Sequence, residues 1–168
     1  MASSPPTSSA GSELLGHPSL DFDILARTAT RAVDWFRQAE ADLRHARHAL
    51  EDGDHDWACF AAQQAAEKAA KAAHQTVGQD AWGHSVTELL QALKTRLPAV
   101  DASLLDRARA LDKLYIATRY PTGLPEGAPA DYYTRDEAAR AIGDAEKILE
   151  CCRGMLPGES GPGLPPES

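Results

Sequence analysis

Cysteine is scarce and poorly placed for cross-linking. There are three in 168 residues, an odd number, and two of them are the adjacent pair Cys151 and Cys152. That is no disulfide framework, and no CxxC-type spacing offers thiolates to a metal. A reducing, cytoplasmic setting is the simplest expectation. Long apolar runs are missing too: none approaches the ~18 residues that a bilayer span requires. The opening residues, MASSPPTSSAGSE, have neither the positive start nor the apolar stretch of a secretory signal. Positive charge is in deficit, with 17 Lys and Arg against 25 Asp and Glu and a formal net charge of −8. General attraction to nucleic acid or to an anionic membrane is thereby excluded, and only a local basic site remains open. There is no P-loop, no dinucleotide-binding glycine motif and no Gly-x-Ser-x-Gly, so no cofactor is expected. His45 and His48 stand three apart without a third ligand, and His55 does not complete a tight set, so no metal is expected either.

What is abundant is alanine, concentrated in the stretch Asp54 to His74, DHDWACFAAQQAAEKAAKAAH. It holds no Gly or Pro, and its propensity for helix is high. Trp57 and Phe60 lie three apart at its start, on one face. Beyond them the helix is thin, which lets neighbouring helices approach closely and predicts the central helix of a bundle. On that thin surface Gln63, Glu67 and Lys71 form one i, i+4 row, and Gln64 and Lys68 form the next. The plain reading is a solvated face with a Glu67–Lys71 ion pair worth a few tenths of a kcal/mol. The other reading is a polar stripe with a task.

The rest of the chain fits around this helix. Residues 1–19, rich in Ser, Pro, Gly and Ala, predict a disordered tail, as do residues 156–168. Between them lies one domain, 20–155. Leu20, Phe22, Ile24 and Leu25 form a short apolar patch ahead of the first helix. That helix is predicted from Thr30 to Glu51, with Val33, Phe36, Ala39, Leu43, Ala46 and Leu50 on one stripe. Gly53 supplies its stop and Asp54 a cap for the alanine-rich helix, which runs to Val77; so short a link predicts an antiparallel hairpin. A connector, Ala81 to His84, leads to Ser85 as the N-cap of a helix over Val86–Arg96. A fourth helix starts at Asp101 or Ser103 and runs to Pro121. The loop 121–133 carries three prolines, and the T-x-x-E box of Thr134 and Glu137 opens a fifth helix. The fold class expected is all-α: an antiparallel up-and-down bundle of about five helices with no strand.

Chemistry could sit in two places. In LDKLYIATRY, Leu111 to Tyr120, the residues Asp112, Tyr115, Thr118 and Arg119 share a face. Arg119 in the last turn complements the helix dipole, and it is also suited to a bidentate phosphate contact. Lys68 and Lys71 could add charge from the alanine-rich helix. His84 in the connector is read first as a capping or packing residue.

Several blocks together resemble one family. They are Trp35, Ala39, Asp42, Leu43 and Ala46 in W-x-x-x-A-x-x-D-L-x-x-A, then DWACFAAQQAAEKAAKA from Asp56 to Ala72. After these come Gly83-His84-Ser85 and L-D-x-x-Y-I-x-T-R-Y-P from Leu111 to Pro121. The combination resembles the HEPN domain, named for higher eukaryotes and prokaryotes nucleotide-binding, over about residues 30–152. The resemblance implies an all-α bundle that commonly dimerises. Many bacterial HEPN proteins are encoded beside a small nucleotidyltransferase and act with it as a toxin–antitoxin pair. The active toxins are metal-independent ribonucleases with an R-x(4–6)-H motif at the dimer interface. The domain also ends the chaperone-like protein sacsin, where a nucleotide-binding role is suggested.

This chain departs from the nuclease motif. Arg119 stands where the motif arginine belongs, but the following candidate positions are Leu124, Pro125 and Glu126, and no histidine occurs after His84. The expected function is therefore non-catalytic: a homodimeric module with a nucleotide or phosphate site formed by Lys68, Lys71, His84, Arg119 and Tyr120, and with a nucleotidyltransferase as partner. Two alternatives stand beside it. One is an endoribonuclease toxin acting on RNA through Arg119 with His84, Tyr132 or Tyr133. The other is a pure dimerisation module.

Overall fold

A computed structural model describes residues 1–3 and 18–158, and for residues 18–22 the backbone alone. The tails expected at 1–19 and 156–168 fall largely outside the described residues, as do the side chains of Leu20 and Phe22. Every regular element described is helical, and no strand occurs among the described residues. The five helices expected are all present: α1 Pro18–Asp52, α2 His55–Thr76, α3 Val86–Leu93, α4 Ala102–Asp112 and, after two short pieces, α7 Arg135–Arg153. The short pieces are α5 Leu114–Ala117 and α6 Pro129–Tyr132, with one 3-10 turn, Pro121–Gly123, between them.

α2 is the centre of the bundle and touches each of the other α-helices. Ala58, Ala62, Ala65, Ala66, Ala69, Ala70, Ala72 and Ala73 have no solvent exposure. Small side chains on several faces let neighbours approach from several directions, which a leucine-faced helix does not permit. α1 and α2 form the expected antiparallel hairpin: Trp35 faces Lys71, and further along α1 Asp42 meets Lys68, earlier on α2. Gly53 makes the turn with φ +90°, a conformation that favours glycine. α7 is also antiparallel to α1, joined to it by Arg47–Glu146 and Arg153–Glu40, each at 2.7 Å. Larger apolar residues fill the remaining space, among them Leu90 and Leu93 of α3, Leu111 of α4 and Ile148 of α7.

Several boundaries differ from expectation. α1 begins at Pro18, which takes the first helical position where a missing N–H costs nothing. Its extra turns carry Ile24 and Leu25 at 59% and 68% exposure. The apolar periodicity that located the helix is a packing signal, and it fades where there is nothing to pack against. Asp54 occupies the N-cap position of α2 but makes no capping bond, because its backbone (φ −82°, ψ 68°) is not the extended form that aims the side chain at the first turn. Ser85, Asp101 and Thr134 do cap, accepting from Glu88 N, Leu104 N and Glu137 N respectively. α3 stops at Leu93 and relaxes into turns before Pro98. The fourth helix is interrupted at Lys113 and ends at Ala117. Past that point Thr118 Oγ1 donates to Leu114 O at 2.7 Å and Arg119 donates to Tyr115 O, so side chains compete for the helix carbonyls.

Candidate functional site

The polar row on α2 is not a solvated face. Gln63 has 0% and Glu67 4% exposure. The connector between α2 and α3 lies over them: Gln63 Nε2 donates to His84 O at 3.2 Å, and His84 Nδ1 lies 3.1 Å from Glu67 Oε1. Lys71 Nζ donates to the same Oε1 at 2.8 Å, and Gln63 Nε2 donates to Glu67 Oε2 at 3.2 Å. Gln64 Nε2 donates to Gln63 Oε1 at 2.7 Å, which completes the Gln63 amide. Burial pushes the Glu67 carboxyl up, but hydrogen bonds from Lys71, Gln63 and His84 outweigh it and hold the group below the usual carboxylate range. An ionised carboxylate only accepts, so His84 carries a proton on Nδ1, and its Nε2 edge is left for other partners.

Asp112 fixes the far end of the connector. Its carboxylate accepts from Val86 N at 2.7 Å, Thr87 N at 3.2 Å and Ser85 Oγ at 2.9 Å. A negative charge against the first amides of α3 is favourable on both hydrogen-bond and dipole grounds. One turn on, Tyr115 stacks on His84 with centroids 4.6 Å apart and planes 16° from parallel. Arg119 then packs among rings: its guanidinium carbon lies 4.3 Å from the Phe60 centroid, 4.8 Å from Tyr115 and 5.2 Å from Tyr120. Nε and Nη2 donate to Tyr115 O at 3.0 and 2.6 Å. Both sequence readings of Arg119 thus have a physical counterpart. It satisfies a carbonyl near the helix end, and its three other N–H donors have no partner among the described residues.

Four of the five expected binding residues form one connected array. Lys71 and His84 share Glu67, His84 stacks on Tyr115, and Tyr115 and Tyr120 flank Arg119. Lys68 is elsewhere, tied to Asp42 Oδ2 of α1 and, at 3.3 Å, to Gln64 Oε1. The tyrosines offered as alternatives to His84 lie apart from it. Tyr132 donates its hydroxyl to Glu126 O at 2.8 Å, and Tyr133 packs against the core, where burial first and then the nearby Cys59 raise its pKa. No His, Cys, Asp and Glu cluster able to hold a metal occurs among the described residues, and no described helix is long and apolar enough to cross a membrane.

Beside the array lies a cleft of about 490 Å³, lined by Trp35, Lys71, Gln75, Asp80, Trp82 and His84 among others. Lys71 Nζ sits 5.7 Å from the Trp35 centroid, and Gln75 Nε2 donates to Asp80 Oδ1 at 2.9 Å. Trp82 is 88% exposed. Gly83, with φ +90°, makes the bend between Trp82 and His84. Sequence reasoning missed this cleft, the shared role of Glu67 and the Asp112 clamp. The signal for Glu67 was present, as a polar row on a helix otherwise made of alanine. Nothing in the local sequence signals Trp35 and Trp82 lining one cleft, because that depends on how the connector crosses α1 and α2.

The HEPN domain family model matches residues 32–155. No curated protein matches the chain in sequence. Among solved structures, TT1696 from Thermus thermophilus is 50% identical with a TM-score of 0.73, the match covering 75% of this chain and 98% of that one. ST0689, described as an archaeal HEPN homologue, is 41% identical with a TM-score of 0.63, covering 74% of this chain and 97% of its own. An HEPN domain protein from Thermotoga maritima is 44% identical with a TM-score of 0.60, covering 73% and 97%.

Proposed function

The chain belongs to the HEPN domain family, and we propose that this member is a non-catalytic module that binds a nucleotide or another phosphate ligand through Lys71, His84, Arg119 and Tyr120. The observation that carries the reading is the setting of Arg119. Its guanidinium is held among three aromatic rings and one backbone carbonyl, with three N–H donors left for an acceptor. An arginine so ordered loses little further freedom on binding, and its planar fork matches phosphate oxygens. Lys71 and His84 are kept nearby by Glu67 and add positive or donor character. Lys68, engaged by Asp42, contributes to the shape of the hairpin and only indirectly to the site.

The same proposal includes a homodimer and a nucleotidyltransferase as protein partner, on the strength of what the family resemblance implies. A cytoplasmic location is in keeping with three unpaired cysteines. Calorimetric titration tests the site: Arg119→Ala weakens binding of a nucleoside diphosphate by roughly 1.5–3 kcal/mol, the worth of a hydrogen bond to a charged group. Unchanged affinity rejects it.

One observation favours a second reading, an endoribonuclease. A buried carboxylate on Nδ1 of an exposed histidine is an arrangement that orients imidazole for proton transfer. His84 and Arg119 both pack against Tyr115, at 4.6 and 4.8 Å from its ring centroid. In that reading His84 Nε2 takes the ribose 2′-hydroxyl proton while Arg119 pairs with the phosphate. RNA cleavage by the purified chain that is lost in both His84→Ala and Arg119→Ala establishes it, and equal background in all three preparations excludes it.

A further inference from the structure

We infer that the cleft between Trp35 and Trp82 is the base subsite of the nucleotide site, and that Asp80 and Gln75 make it select guanine. The inference rests on the nucleotide reading given above and adds the identity of the base.

The first support is the state of Trp82. Its indole is 88% exposed, although a ring of that size gains most from being covered. The backbone that follows Trp82 is held in place. The connector is fastened by Gln63 to His84 O and by Asp112 to Ser85, Val86 and Thr87. An exposed indole beside a fastened segment, at a cleft of about 490 Å³ that Trp35 also lines, offers a platform for a flat ring.

The second support is the chemistry of the lining. Gln75 Nε2 donates to Asp80, which settles the orientation of that amide: its oxygen is the free end. The cleft therefore presents the Asp80 carboxylate and Gln75 Oε1, which are acceptors. Beside these acceptors stands Lys71, which gives one of its three N–H donors to Glu67 and keeps two. The edge of a ligand ring that meets the Asp80 carboxylate must bring donors. Guanine carries two adjacent donors, N1–H and the N2 amino group, on the edge that would meet a carboxylate. Adenine and cytosine each offer one amino group next to a ring-nitrogen acceptor, which would set lone pair against lone pair. A site built to accept rejects the analogue that lacks the donor far more strongly than an apolar pocket could.

The third support is continuity. His84 lines the cleft and also stacks on Tyr115 at 4.6 Å, and Arg119 packs on the same tyrosine at 4.8 Å. From the cleft to the guanidinium is thus two stacking steps, the reach of a ribose and a diphosphate. GDP suits that span better than GMP.

Calorimetric titrations with GDP, ADP and inorganic tripolyphosphate test the inference on the full-length chain, with Asp80→Asn, Trp82→Ala and Arg119→Ala variants. Asp80 and Trp82 are exposed, so their replacement leaves the folded core intact. The expected result is GDP bound at least tenfold tighter than ADP, a tenfold or greater loss of GDP affinity in Trp82→Ala, and loss of the GDP preference in Asp80→Asn. Equal affinity for GDP and ADP, or wild-type GDP affinity in Trp82→Ala, overturns the base subsite. If tripolyphosphate then still binds and Arg119→Ala abolishes it, the phosphate reading survives alone. GDP binding weakened by Trp82→Ala and unaffected by Arg119→Ala upholds the cleft and removes the phosphate reading. No binding of either GDP or tripolyphosphate overturns both.

Discussion

Glu67 shows how much one residue's role depends on what covers it. Its carboxylate receives Lys71, Gln63 and His84, and its pKa is held below the ordinary 4.5. A depressed carboxylate stabilises the fold above the unfolded-state value, and that contribution disappears as pH falls through the folded-state value. Glu67→Gln is therefore expected to cost stability at neutral pH, roughly 1–3 kcal/mol for leaving buried donors poorly matched. The gap to the wild type narrows as pH falls from about 5 toward about 3. Urea unfolding midpoints across that range measure it, and a gap that stays constant with pH would count against an ionised Glu67 in the fold. The sequence showed the Gln63–Glu67–Lys71 row, because spacing is a local property. It could not show that the row is buried, because the cover comes from His84, seventeen positions later on another segment. For the same reason Lys68 and Lys71 looked equivalent, although Asp42 claims one and Glu67 the other.

At the scale of elements, the alanines of α2 decide the architecture. Ala69 has no exposure and sits well inside the helix. Ala69→Leu keeps helix propensity nearly unchanged, so its effect reports packing alone. Overpacking should lower stability by about 1–3 kcal/mol, read as a shift in the chemical denaturation midpoint without loss of helical circular dichroism at low denaturant. The existence of five main helices was legible from periodicity and capping, and the Ser85 and Thr134 caps were legible from residue type and position, whereas Asp101 stood beside Ser103 as one of two candidates. The start of α1 was not, since Ile24 and Leu25 pack on little and leave no readable stripe. The short α5 and α6 were not legible either: four-residue helices owe their existence to their surroundings rather than to any pattern of their own.

At the scale of the whole molecule, charge is spread as cross-links between helices rather than as a field. Arg47–Glu146 and Arg153–Glu40 tie α1 to α7, and Arg107–Asp144 ties α4 to α7 at 2.6 Å. These pairs are at least partly exposed, and each is worth about 0–1 kcal/mol. The bundle is held mainly by its apolar interior. Raising sodium chloride from about 0.1 to about 1 M should therefore shift the thermal midpoint by no more than a few degrees; a large drop would mean that ion pairs carry the fold. The family was legible because its motif residues are the very ones that shape the site: Asp42, Glu67, Gly83, His84, Asp112, Tyr115 and Arg119 all have defined structural partners or turns here. The cleft lined by Trp35 and Trp82 was not, since the two belong to different segments and no local pattern links them.

The fastening of the connector has an optical consequence. Trp82 is anchored through Gly83 to His84, and His84 is in ring contact with Tyr115, the residue whose carbonyl holds Arg119. The indole thus stands two residues along the chain from a ring contact that leads to the guanidinium. With Trp35 and Trp57 replaced by phenylalanine, the emission of Trp82 is expected to follow changes at this connector, without any added dye.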